Sequence, residues 1–90
     1  MTVTVRYQAQ LRQLAGVPNE AVSIEAGASV HQLLRSLVAQ RPALVQLLLD
    51  EKHRTRSSLL LFVNDEQVDP DHRLSAGDEV ILMTPIAGGA

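Results

Sequence analysis

The sequence predicts an α+β domain, a small roll in which a mixed β-sheet is crossed by one main helix. Strand-like segments stand near both ends, at Thr2–Tyr7 and Glu79–Met83. Between them, Val30, Leu33, Leu34, Leu37 and Val38 repeat at i, i+3, i+4, i+7 and i+8, the single apolar stripe of a helix with one buried face. The order is strand, strand, main helix, short strands and a long last strand, which suits a sheet with a helix packed across it.

Val3, Val5 and Tyr7 alternate with Thr2, Thr4 and Arg6, the period of two of a strand with one buried face. Leu11, Leu14 and Ala15 follow at helical spacing, so residues 9–15 form a short helix capped by Gly16. Val17, Pro18 and Asn19 make a turn, and residues 21–25 resume β patterning until Gly27, giving an antiparallel partner for the first strand. Ser29 is the N-cap of the main helix. Pro42 opens a second, shorter helix bearing Leu44, Val45, Leu47, Leu48 and Leu49. Residues 52–57 are polar and aperiodic, an exposed loop. The apolar run 59–63 reads as a strand covered on both faces, inside the sheet or against a partner. Residues 64–67 supply a turn, Val68 starts a brief return ended by Pro70, Leu74 anchors an irregular stretch, and Pro85 halts the last strand.

The 90 residues suffice for one domain, placed at 1–85, with a flexible tail at 86–90. Tyr7 and Phe62 are the two aromatic residues, so the core is aliphatic and no stacking surface for nucleic acid is expected. A net charge of −2 gives no attraction for phosphate backbones or anionic membranes, which directs the search for partners to proteins. The absence of cysteine excludes disulfides, thiolate metal sites and a cysteine nucleophile. Without a secretory pattern at the start or a run near the ~20 apolar residues of a membrane helix, the expected compartment is the cytoplasm.

His31, His53 and His72 lack ligand spacing, so no metal site is expected. Asp65, Glu66, Asp69, Asp71, Asp78 and Glu79 sit among turn residues, where carboxylates cap backbone. The basic segment 52–56 has no interleaved aromatics and reads as a solvated loop. No glycine-rich phosphate loop is present, so no nucleotide site is expected on the chain itself. Gly88 and Gly89 are the remaining chemical signal: bare backbone can thread a narrow site closed to side chains.

Val63 and Asn64, then Val68, Leu74, the run Gly77, Asp78, Glu79 and Val80, then Pro85 and the pair Gly88 and Gly89 resemble the ubiquitin-like sulfur-carrier family of the MoaD and ThiS type. The segment 9–16 looks like that of MoaD, the small subunit of molybdopterin synthase, where an acidic residue often replaces Gln13. ThiS proteins typically lack it. The resemblance spans nearly the whole chain and implies a β-grasp fold.

It also implies a chemistry. In that family an E1-like adenylyltransferase uses ATP and magnesium to adenylate the terminal glycine carboxylate, and a sulfur donor converts it to a thiocarboxylate. In molybdopterin synthase a MoaE-type large subunit then receives the tail, and the sulfur builds the dithiolene of molybdopterin. Carried onto this sequence, Gly89 is the reactive position, Pro85, Ile86, Ala87 and Gly88 are the threaded tail, and Gln8, Gln67 and Met83 fall on the partner-facing surface. The chain itself would bind no cofactor and would be no stand-alone catalyst.

Three departures accompany the resemblance. Ala90 follows Gly89, so the free carboxylate requires its removal by a Gly-Gly-specific metalloprotease or its absence from the natural chain. Thr84 stands where MoaD tails often carry a proline, and Gln8 and Gln67 where larger apolar residues are common. Rival readings are a carrier for thiamine or cysteine formation, a protein modifier joined through Gly89 to lysines, and a ubiquitin-like binding module.

Overall fold

In the computed structural model, which describes residues 1–85, the alternation of Thr2–Tyr7 becomes strand β1, with Val3, Val5 and Tyr7 buried. The chain then enters helix α1, Ala9–Ala15, which buries Leu11 and Ala15. Its last turn closes at Gly16, where φ is 79° and the N–H donates to Arg12 O, the left-handed cap that glycine favours.

Strand β2, Asn19–Ser23, pairs antiparallel with β1, Asn19 opposite Arg6 and Ser23 opposite Thr2. It lies two residues earlier than the pattern 21–25 predicts. The Tyr7 N–H donates to Pro18 O, so the ladder begins as soon as the proline is passed, and at its other end Ile24 still pairs with Met1, its N–H donating to Met1 O at 2.9 Å and its O accepting from the Met1 amine at 2.7 Å. Backbone pairing, not apolar alternation, sets this boundary.

Ser29 caps helix α2, Val30–Gln40, through a reciprocal box: the Gln32 N–H donates to Ser29 Oγ at 3.2 Å and the Ser29 N–H to Gln32 Oε1 at 2.8 Å. Val30, Leu33, Leu34 and Leu37 are buried, and Val38 is half-buried at the edge of the stripe. The second helix is shorter than expected. Pro42–Leu44 forms a 3₁₀ turn, helix α3 spans Val45–Leu48, and Leu49 departs in extended conformation to bridge Thr55. Asp50 diverts the chain, because its carboxylate accepts the N–H groups of Lys52 and Arg54 and so fixes a turn in place of further helix. The Arg54 amide above all holds the Asp50 carboxyl below its usual range.

Strand β3, Leu60–Val63, is followed by a two-residue turn and strand β4, Glu66–Gln67. Asn64 and Asp65 have φ of 50° and 72°, the left-handed pair that matches hairpin twist. The return thus occurs before Val68, whose N–H still reaches Leu61 O. Asn64 Nδ2 donates to Asp78 Oδ1 and the Glu79 N–H to Asn64 Oδ1, tying the turn to the start of strand β5, Glu79–Met83.

β5 lies between β1 and β3 in the order β2-β1-β5-β3-β4, parallel to β1 and antiparallel to β3. Val80 and Leu82 point inward with Leu61 and Val63, and share one core with α1, α2 and α3. This is the mixed sheet with a main helix across it that the sequence predicts. The run 59–63 is not covered on both faces by the described chain: Leu59, Leu61 and Val63 are buried, whereas Leu60 and Phe62 are half-buried on the other side. No helix of the described residues is long and apolar enough to cross a membrane.

A polar cluster fastens one end of the core. Arg41 donates through Nε to Glu20 Oε2 at 2.8 Å, through Nη2 to Glu20 Oε1 at 3.0 Å and through Nη1 to Ala15 O at 2.6 Å, and Tyr7 Oη donates to Glu20 Oε2. One guanidinium thereby joins the end of α2, the end of α1 and β2. The bonds from Arg41 hold the Glu20 carboxyl below its usual range, whereas burial first and Glu20 second raise the Tyr7 phenol well above its own.

Leu34→Ala should lower stability by about 2–5 kcal/mol in urea denaturation, the cost of a cavity at a fully buried position; a change near zero would refute this helix register. Because the folded-state pKa of Glu20 is depressed, its contribution is complete above the ordinary glutamate range and fades as pH falls through that range and the folded value. Urea midpoints measured across acidic pH should decline for the parent and decline less steeply for Glu20→Gln.

Candidate functional site

Alternation along the strands leaves a second sheet face without a helix layer among the described residues. It carries Thr4 and Arg6 from β1, Glu79, Ile81 and Met83 from β5, Leu60 and Phe62 from β3, and Gln67 from β4. The register arranges them in rows. Gln67 pairs with Phe62, Phe62 with Ile81 and Ile81 with Arg6, while Leu60 pairs with Met83 in the next row. Leu60, Phe62, Ile81 and Met83 are therefore one contiguous apolar patch, each half-buried. An apolar cluster on an otherwise polar sheet face has the character of a docking surface.

Met83, the last residue of β5, ends the patch. Thr84 is half-buried and Pro85 exposed, and Pro85, lacking an N–H, cannot donate to a continued ladder. Gln8 continues β1 beside this exit, half-buried, its N–H donating to Leu82 O at 3.2 Å. The next residue, Ala9, has φ of 50°, a left-handed conformation that strains a residue with a Cβ. Thus Gln8 and Met83 meet at the exit of β5 and Gln67 borders the patch through Phe62, so all three partner-facing residues named from the sequence share this face. The expected reactive Gly89 and the tail positions Ile86, Ala87 and Gly88, with Ala90, lie outside the described residues.

The sequence reading places the run 59–63 inside the sheet or against a partner, but it does not single out Leu60, Phe62 and Ile81 as the outward members of one patch. Alternation contains the signal, but only the register of β5 against β1 and β3 fixes which face each residue takes. It also missed an ion pair on the same face, Arg6 Nε to Glu79 Oε2 at 3.0 Å.

Several of the other candidates have local partners. His31 Nδ1 lies 2.7 Å from Thr55 Oγ1. Asp78 Oδ2 accepts the Ser75 N–H, the backbone-capping role expected of it. The basic loop is shaped by Asp50 and by Arg56 Nε donating to Gln46 O. Among the described residues no three His, Cys, Asp or Glu side chains form a group fit to hold a metal ion.

Comparison with known proteins places this geometry. The ThiS family matches residues 5–89, from the middle of β1 to the second glycine. The molybdopterin synthase sulfur carrier subunit of Chlamydomonas reinhardtii is 31% identical, covering 99% of this chain and 100% of that protein. The protein of the same name from Escherichia coli K12 is 32% identical over 97% of this chain and 99% of its own length. Among solved structures, small archaeal modifier protein 1 of Haloferax volcanii superposes with a TM-score of 0.92 at 26% identity, covering 99% of this chain and 100% of that one. The mixed sheet, the crossing helix and a match over nearly the whole length agree: the chain belongs to the ThiS family, with the ubiquitin-like β-grasp fold.

Proposed function

We propose that this protein is the sulfur-carrying small subunit of a molybdopterin synthase, working in the cytoplasm and bearing its sulfur on Gly89 after loss of Ala90. The observation that carries the reading is the position of Gly88 and Gly89, a few residues beyond a strand whose exit borders an apolar sheet face. The family match also runs to Gly89 and not to Ala90, and relatives above 30% identity carry the name of that subunit.

In this reading the Gly89 carboxylate attacks the α-phosphorus of ATP on an E1-like partner and pyrophosphate leaves. A sulfur donor then places sulfur at the level of sulfide on the carbonyl carbon and AMP departs, leaving a thiocarboxylate. ATP and its magnesium belong to the partner. The mixed anhydride supplies the leaving group that a carboxylate lacks, and threading of bare backbone supplies the alignment. The apolar face docks first on the E1-like enzyme and later on a MoaE-type large subunit, whose bound pterin precursor takes the sulfur. Water returns Gly89 to the carboxylate. A Gly-Gly-specific protease is the agent that removes Ala90.

A second reading has one observation in its favour. The likeness to an archaeal modifier protein, at a TM-score of 0.92, suits a chain joined through Gly89 to lysines of other proteins. Both readings share the activated carbonyl and differ in the nucleophile that receives it.

Loading separates the forms. Given E1-like enzyme, ATP, magnesium and sulfur donor, the chain ending at Gly89 should gain a thiocarboxylate by intact mass, and the chain ending at Ala90 should not. Equal loading of both, or of neither with a verified enzyme, contradicts the assignment of Gly89. Met83→Asp should weaken binding to the large subunit by more than roughly tenfold, as expected when a charge is placed in an apolar contact beside the tail, with thermal unfolding nearly unchanged. Global unfolding of that variant would instead make Met83 a core residue.

A further inference from the structure

The apolar patch leaves a problem of orientation that the structure answers elsewhere on the same face. A partner held by a threaded tail and an apolar contact is fixed along one axis, but apolar contact is non-directional and leaves rotation about that axis weakly specified. A directional contact away from the tail would set it. Arg6 and Glu79 occupy such a place. Met83 and Leu60 form the row nearest the exit of β5, Ile81, Phe62 and Arg6 the next, and Glu79 and Thr4 the row beyond.

Among the strand residues of this face Arg6 and Glu79 are the charged ones, and their side chains are 51% and 38% exposed. Only Nε of the guanidinium is engaged, so among the described residues both Nη groups and Glu79 Oε1 have no hydrogen-bond partner. An exposed pair of this kind contributes little to folding, so stability alone gives it little to do. Covered by a partner, it is costly unless its remaining donors and acceptors are met.

Resting on the sulfur-carrier reading, we infer that the Arg6–Glu79 pair is the register element of the docking face. The large subunit that takes up Gly89 presents, beside its apolar contact, a carboxylate to the unused guanidinium edge of Arg6 and a cation to Glu79 Oε1. The patch supplies adhesion, and the pair selects one orientation and rejects surfaces of the wrong polarity.

The test is a charge exchange, Arg6→Glu with Glu79→Arg, which keeps an internal ion pair and reverses the polarity shown to the partner. Binding of the parent and exchanged chains to the large subunit is measured by calorimetry at low and high salt, with thermal unfolding alongside. The inference expects binding at least roughly tenfold weaker for the exchanged chain at low salt, a gap that narrows as salt rises, and an unchanged unfolding midpoint. Arg6→Gln, which removes the charge with little change of shape, covers the case in which the exchange perturbs folding, and should bind several-fold more weakly with a shallower salt dependence. Parent-like binding of a folded exchanged chain, or of Arg6→Gln, overturns the inference and leaves the sulfur-carrier reading standing. Failure of the parent to bind overturns both.

Discussion

The parallel ladder between β1 and β5 is the constraint on which the rest depends. It joins segments seventy-five residues apart, with Val5 opposite Val80 and Tyr7 opposite Leu82. Because the two strands run the same way, both leave the sheet at one end, and the start of α1 stands beside the end of β5. The same ladder sets the faces. β5 is almost wholly apolar, and its register sends Val80 and Leu82 inward and Ile81 and Met83 outward. A slip by one residue would invert every one of them. The core on one side and the apolar patch on the other are thus two results of a single pairing.

Two ion pairs show how location decides the use of charge. Arg41 and Glu20 are partly buried, doubly bonded and joined to Tyr7 and Ala15 O, so removal of one partner would leave partly buried polar groups unpaired at the end of the core. Arg6 and Glu79 lie open to water and are held by one contact. The first pair belongs to the architecture. The second stands on the sheet face that no helix covers among the described residues.

Much of the fold was legible because local chemistry and long-range packing agree. Gly16, the Ser29 cap and the stripe from Val30 to Val38 each specify a local structure that the core then uses. Legibility fails where a distant partner decides. Pro18 O, by accepting from Tyr7, moves β2 two residues earlier, and Asp50 ends a helix that Leu49 alone would continue. The turn at Asn64 and Asp65 was read as a turn, but its two-residue length, which brings β4 forward, comes from left-handed backbone shown only by the structure. Gln8, Gln67 and Met83, which the resemblance implies as partner-facing, were legible one by one. That Leu60, Phe62, Ile81 and the Arg6–Glu79 pair share the open face was not, since membership of a shared face depends on register across three strands. Nothing in the sequence marked Ala9 as left-handed.

Sulfur on Gly89 is the central claim, and the intact mass of the protein isolated from its own cells tests it most directly. Carriage of sulfur predicts a species that has lost Ala90 and holds sulfur in place of one oxygen, with fragmentation placing that sulfur on Gly89. Chains that retain Ala90 throughout, with no sulfur-bearing species among them, would contradict it.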